Sequence, residues 1–146
     1  MERNPLPHTS AILFADQIIV EASTGKKSLI GIFSTICSTA LPMEREINIF
    51  VELTDAVGEY QFTLELVHLE TGMLVATGSM GPVVSRDPLR PMEIIIRLPA
   101  RLPRHGKYEF RMSCGKSVFA SRVFSFRALS QAKETAPELD TPEGTR

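Results

Sequence analysis

Apolar and polar side chains alternate with a period of two along most of this chain, the signature of half-buried β-strands. In "YQFTLELVHL", Tyr60, Phe62, Leu64 and Leu66 share one face, while Gln61, Thr63 and Glu65 take the other. "INIFVEL" repeats the pattern through Ile47, Ile49, Val51 and Leu53, and "KYEFRMSC" through Tyr108, Phe110 and Met112. "MLVATG", "MEIIIRL" and "SVFASRVFSF" have the same character. Turn residues separate these segments every 8–12 residues or so, the rhythm of an antiparallel sandwich or barrel. The pattern predicts an all-β fold, an antiparallel β-sandwich of about eight strands near 11–20, 28–36, 46–54, 60–69, 73–79, 92–98, 107–114 and 117–127. Shared parity puts Tyr60, Phe62, Leu64, Leu66, Ile47, Ile49, Val51, Tyr108, Phe110 and Met112 in the core.

The connections read as follows. "TDAVGE", with Asp55 and Gly58, reads as a hairpin loop, and "ETG" at 70–72 as another turn. Residues 80–91 carry three prolines and a glycine and read as a long irregular crossing from one sheet to the other. Two segments break the simple alternation. In "AILFADQIIVE", Ile12, Phe14, Ile18 and Val20 are apolar, yet Asp16 falls in their register. A core-facing carboxylate costs several kcal/mol unless paired or solvated. A bulge that turns Asp16 outward, or hydrogen bonds from the 22–27 turn or a nearby hydroxyl, is therefore expected. "SLIGIFSTI" is apolar at both parities and reads as a central strand covered on both faces, with Gly31 marking a close neighbour.

No segment keeps helical spacing over three turns. The organisation expected is an irregular leader at 1–10, a sandwich domain at 11–127 and a disordered tail at 128–146, where Glu, Thr, Pro and Gly replace apolar side chains. With 146 residues the chain fits one domain, and 43% hydrophobic with 23% charged residues is an ordinary soluble profile. A net charge of −1 and the lack of a basic stripe argue against nucleic acid. "MERNPLPHTSAILF" has neither a basic start nor a long apolar centre, so no secretory signal or membrane span is read and a cytoplasmic location is expected. Cys37 and Cys114 suit a reducing compartment, as free thiols rather than a disulfide, and cannot supply a metal quartet.

Each remaining motif is a candidate for chemistry. "STGKKS" at 23–28 has the Gly25-Lys26 pair of a phosphate loop, but Val20 stands where the first glycine belongs, and a β-branched strand follows in place of a helix. "CGKS" at 114–117 has the right tripeptide, but Phe110 stands at the first glycine position. Lys26 and Lys116 are therefore read as turn residues. His8, His68 and His105 stand too far apart in sequence for a short-spaced zinc site. Asp16, Asp55, Asp87 and Asp140 form no calcium-loop cluster. No pair of carboxylates is singled out for glycoside hydrolysis, and no serine stands in a nucleophile elbow. Cys114 lies near Lys107 and Lys116 but has no histidine after it, and reads as a turn cysteine. With no Trp, two Tyr and eight Phe mostly at core parity, an aromatic carbohydrate platform is weakly supported.

"ILFADQIIVEASTGKKSLIGIFSTI" (12–36) resembles the opening of a bacterial family of uncharacterised proteins, a domain of unknown function with a small residue and Asp, then "tGK", then "SLIGiF". Ala15-Asp16, Gly25-Lys26 and Ser28 to Phe33 fit that signature. "LPARLPRHGKYEFRMSCGKSVFASRVFSF" (98–126) is similar to its closing strands. The resemblance covers about 10–127 and implies an immunoglobulin-like or C2-like sandwich. It implies no activity, cofactor or catalytic residue. The expectation is a non-catalytic, cytoplasmic protein-interaction module acting through sheet edges or loops. Its partner is expected to be a protein, with no catalytic, cofactor-binding or metal residues, no cofactor, no nucleic acid and no membrane. The alternative is a small-ligand or carbohydrate-binding sandwich. An exposed concave face with Phe or Tyr would favour the latter, and a flat apolar patch or open edge strand the former.

Overall fold

A computed structural model describes residues 4–129. The expected tail, beyond Ala128 and Leu129, lies outside the described residues. Nine strands form: β1 (His8–Val20), β2 (Lys27–Phe33), β3 (Thr35–Cys37), β4 (Met43–Thr54), β5 (Gly58–His68), β6 (Met73–Ser85), β7 (Met92–Leu102), β8 (Gly106–Cys114) and β9 (Ser117–Arg127). They make two packed sheets, one of order β2-β1-β4-β7 and the other of order β3-β9-β8-β5-β6. Every pairing is antiparallel except the short β3–β9 pair, which is parallel.

The alternating segments behave as their period dictates. All ten residues expected in the core are at most 4% exposed and belong to one apolar cluster between the sheets. Phe14 meets Phe124 edge-on at 5.2 Å, and Tyr108 stacks on Phe124 at 5.6 Å. The two buried tyrosines tie connections to this cluster. The Tyr60 hydroxyl donates to the Pro5 carbonyl (2.8 Å) and accepts the Val57 N–H (3.0 Å). The Tyr108 hydroxyl donates to the Arg104 carbonyl at 2.6 Å. A buried phenol needs such a partner, because leaving it unpaired costs more than the bond contributes.

Several expectations are corrected. The predicted strand at 28–36 is two strands: the chain leaves β1's sheet at Ser34 and joins β9 in the other, which raises the strand number from eight to nine. Far from being central, β2 is an edge strand, with Ile30 and Ile32 exposed. Its mixed parity reflects a change of sheet rather than cover on two faces. "TDAVGE" is not a hairpin, because β4 and β5 lie in different sheets; Asp55 takes a φ of 58° and Ala56 is buried in that crossing. The irregular crossing shrinks to 86–91, since β6 continues to Ser85. β7 runs through Pro99, whose missing N–H is tolerated because, among the described residues, β7 pairs only with β4. The leader is shorter than expected, with β1 starting at His8, and the Asn4 side-chain amide donates to the Glu59 carbonyl.

Candidate functional site

The β1–β2 hairpin departs from the rest of the sandwich. Its loop is closed by the Glu21 N–H donating to the Lys26 carbonyl (2.8 Å), with Gly25 at a φ of 71° and its N–H on the Glu21 carbonyl. "STGKKS" is thus a turn between strands, as expected. "CGKS" is likewise the Gly115-Lys116 turn between β8 and β9. Neither glycine is followed by a helix that would offer amides to phosphate.

The closing bond sets the phase of the hairpin. In an antiparallel ladder, hydrogen-bonded and non-hydrogen-bonded pairs alternate. Counting back from Glu21:Lys26 at constant register makes Asp16:Gly31 a non-hydrogen-bonded pair, where side chains come closest. Gly31 has a φ of 68°, and a Cβ built there would lie 2.3 Å from Asp16 Oδ2. The close neighbour expected at Gly31 is therefore the Asp16 carboxylate.

Asp16 does face outward, but not through a bulge, because the β1–β2 register is unbroken around it. The strand bends instead. Ladder rows run Ala15–Asn48–Arg97 and Ala11–Glu52–Glu93 across β1, β4 and β7. A straight β1 would carry Val20, and Lys27 opposite it, about 30 Å along the sheet from Glu93. Yet Lys27 Nζ lies 3.3 Å from Glu93 Oε1. The hairpin therefore folds back across the outer face of the four-stranded sheet. Ala15 and Ile18 are buried although neither belongs to the central cluster, as a second, smaller contact layer requires. Beneath it, Leu13, Phe50 and Ile95 form a half-buried apolar row on that outer face.

At the bend, Asp16 is solvated, its side chain 64% exposed, and its ion pair with Arg45 is loose at 3.5 Å. Where β1 leaves, Arg45 fills the gap and lies over the Phe33 ring, 5.2 Å from its centroid. The Asn48 side-chain amide donates to the Asp16 carbonyl at 2.9 Å, while Asn48 Oδ1 is buried with no partner among the described residues. The expected hydrogen bonds from the 22–27 turn to the Asp16 carboxylate do not form part of this arrangement; Arg45 takes that role.

The other sequence candidates fall elsewhere. His68 and His105 do meet, but as structural groups. His68 Nε2 donates to the His105 carbonyl (3.1 Å), which fixes the tautomer, so Nδ1 accepts from the Thr71 hydroxyl (2.8 Å). His105 Nε2 donates to the Ser38 carbonyl at 2.8 Å. His8 starts β1 opposite Thr54, away from both. Among the described residues, no group of three His, Cys, Asp or Glu is placed to hold a metal. Cys37 and Cys114 are free thiols facing the opposite ends of β9, about 30 Å apart. Two surface grooves, of ≈ 550 Å³ and ≈ 360 Å³, are each lined by one carboxylate and two arginines, Glu44 with Arg45 and Arg101 in the first and Asp87 with Arg86 and Arg90 in the second. Neither brings two carboxylates together. Among the described residues, no helix is long and apolar enough to cross a membrane.

The two outer faces differ. That of the five-stranded sheet carries Glu65, Lys107, Glu109 and Arg111, with Glu109 and Arg111 paired. The folded-back hairpin instead exposes Ile19, Ile30 and Ile32 on one side. Two sheets packed around one apolar core define an all-β sandwich. The chain belongs to a family of unknown function, DUF6941, whose model matches residues 10–126. No curated protein matches the chain significantly.

The sequence missed the fold-back because it depends on a contact between Lys27 and Glu93, distant in the chain. The available signal was the pairing of Asp16 with Gly31, two residues that each break their own strand's pattern.

Proposed function

We propose that this domain is a non-catalytic protein-interaction module that engages a protein partner through the β1–β2 hairpin. The observation that carries this reading is the edge strand β2, with Ile30 47% and Ile32 57% exposed and no strand on its outer side among the described residues. An open edge with apolar side chains is a template for another chain, and proteins usually blunt such edges. Here the lysines Lys26 and Lys27 stand only at its start. A carbohydrate platform would need outward rings, and both tyrosines are buried in the core, which favours the protein-partner reading over the small-ligand one. A cytoplasmic setting accompanies the proposal and is supported by the two free thiols.

The test is affinity capture from the native host with three baits: the parent, Ile30→Glu/Ile32→Glu, and Leu89→Glu as a control at an exposed position on the 86–91 connection. The proposal expects one protein retained by the parent and the control and lost with the hairpin variant. Retention by all three would refute the hairpin as the contact surface.

A further inference from the structure

We propose that the bare edge of β9 at 119–123 is a second binding site, which takes an extended, acidic segment of a partner protein as an added strand beside Arg122. The site lies apart from the β1–β2 hairpin, and each can stand without the other.

One crossing of the chain leaves two strand edges bare. β1 and β9 run alongside each other on one flank of the sandwich, with Thr9 Oγ1 on the Phe119 carbonyl at 3.3 Å and Phe14 against Phe124. β2 covers β1 from Phe14 to Val20; the chain then crosses at Ser34, and β3 covers β9 from Ser125 to Arg127. Among the described residues, no strand flanks β1 at 9–13 on the side away from β4, or β9 at 119–123 on the side away from β8. A groove of ≈ 370 Å³ runs between these two stretches, walled by residues 9–12 and 119–122.

The backbone of β9 is in phase for a guest strand. The Ser125 N–H donates to the Ser34 carbonyl at 2.9 Å, so residue 125 turns its backbone bonds away from β8. The β8–β9 register is unbroken from Phe126 back to Ala120, and alternation turns Val123 and Ser121 the same way. Their N–H and C=O groups have no strand partner among the described residues. Five residues span about 17 Å, room for a short strand.

The chemistry of the guest follows from Arg122. It stands opposite Phe110 in the ladder, so it shares the inward face with Ala120 and Phe124, yet it is exposed. A charge in core register is costly unless solvated or paired. Arg122 reaches water through the bare flank, and no carboxylate pairs with it among the described residues. The other residues walling the groove are uncharged. Glu52, which accepts from Ser10 Oγ at 2.8 Å, lies on the outer face of its sheet, because Val51 and Leu53 beside it face the core. A strand laid along β9 sets one inward side chain opposite Arg122. A glutamate or aspartate there pairs the guanidinium, while the inward positions on either side meet Ala120 and Phe124 and suit apolar residues. Two copies of β9 joined antiparallel about residue 122 would oppose Arg122 to Arg122, so like charge disfavours a second copy as the guest.

The test uses the full chain, isotope-labelled, and two capped heptapeptides. Both have threonine at the odd positions and valine at the second and sixth; one has glutamate at the centre and the other lysine. In the free protein, the Ser121 and Val123 amides should exchange about tenfold or more faster than those of Arg122 and Phe124, which bond to β8. The glutamate peptide should shift the amide signals of 9–13 and 119–123 and slow exchange at Ser121 and Val123. The lysine peptide should bind about tenfold or more weakly, a charge-assisted pair being lost. Arg122→Gln should abolish that preference and Arg122→Glu should reverse it, while Ile30→Glu/Ile32→Glu should respond as the parent does. Slow exchange at Ser121 and Val123 in the free protein would mean that the edge is already covered, and overturns the proposal. So does the absence of any response at millimolar peptide, an equal response to both peptides, or shifts confined to the β1–β2 hairpin.

Discussion

The Asp16 carboxylate lies over Gly31, in the space that a side chain on residue 31 would fill. Gly31 is needed twice at this point: its φ of 68° is one that L-residues avoid, and its bare Cα makes room for Asp16. Gly31→Ala should therefore lose roughly 1–2 kcal/mol from the left-handed backbone alone, and more from the crowded carboxylate. Asp16→Ala removes only a loose, solvated ion pair and should cost at most about 1 kcal/mol. That is less than a buried hydrogen-bond network at Asp16 would have required. In denaturant titrations, Asp16→Ala/Gly31→Ala should be more stable than the sum of the single losses predicts. Strict additivity would mean that the two side-chain positions do not compete.

Leu64 is a check on the core. It lies at the centre of β5 within the cluster shared by both sheets. Leu64→Ala should cost roughly 2–5 kcal/mol through lost burial and the cavity left behind. A loss no larger than that of a surface substitution such as Leu89→Ala would contradict its placement.

The alternating strands were legible because each carries its own evidence: a residue's parity tells which face is wet, whatever it pairs with. That is why Ile47, Tyr60 and Tyr108 could be assigned to the core from sequence. What the pattern cannot carry is which sheet a strand joins. "SLIGIFSTI" looked central because apolar residues at both parities mean either two covered faces or a change of sheet, and only the pairing of Thr35 with Ser125 separates them. "TDAVGE" looked like a hairpin for a related reason, since turn chemistry records a reversal of direction and not the layer it leads to. At the candidate site, Asp16 and Gly31 were each visible as exceptions. Their shared cause, a bend that returns Lys27 to Glu93, is a tertiary contact with no local signature.

That contact gives a prediction of its own. The Lys27–Glu93 pair is partly exposed and should contribute little to global stability, within about 1 kcal/mol. Its effect should be local, holding the hairpin against the Leu13–Phe50–Ile95 row. Lys27→Glu should raise amide hydrogen exchange in residues 17–30 while leaving β5 and β8 protected. Lys27→Glu/Glu93→Lys, which swaps the charges, should restore slow exchange. Equal exchange in all three proteins would show that apolar contact at Ile18 holds the hairpin without the ion pair.

The last prediction concerns alkaline pH. Burial pushes the Tyr108 hydroxyl above its ordinary pKa of 10.0, against smaller opposing effects from the Arg104 backbone hydrogen bond and charge. In the unfolded chain the phenol ionises near its ordinary value, while in the fold it stays protonated to higher pH. Between those two values the folded state binds more protons than the unfolded state, so stability falls as pH rises. The Tyr108 contribution is thus fully present below about pH 10 and is lost as pH climbs from there through the folded-state pKa. Tyr108→Phe keeps the stacking on Phe124 but has no phenol to ionise, and it gives up the bond to the Arg104 carbonyl. The parent should accordingly exceed Tyr108→Phe by a constant margin at neutral pH, and that margin should shrink above about pH 10. Measuring unfolding free energies of both proteins on either side of that pH isolates Tyr108 from the lysines and Tyr60, which the two proteins share. A margin that stays constant or widens above that pH would mean that the Tyr108 hydroxyl titrates in the fold no later than in the unfolded chain.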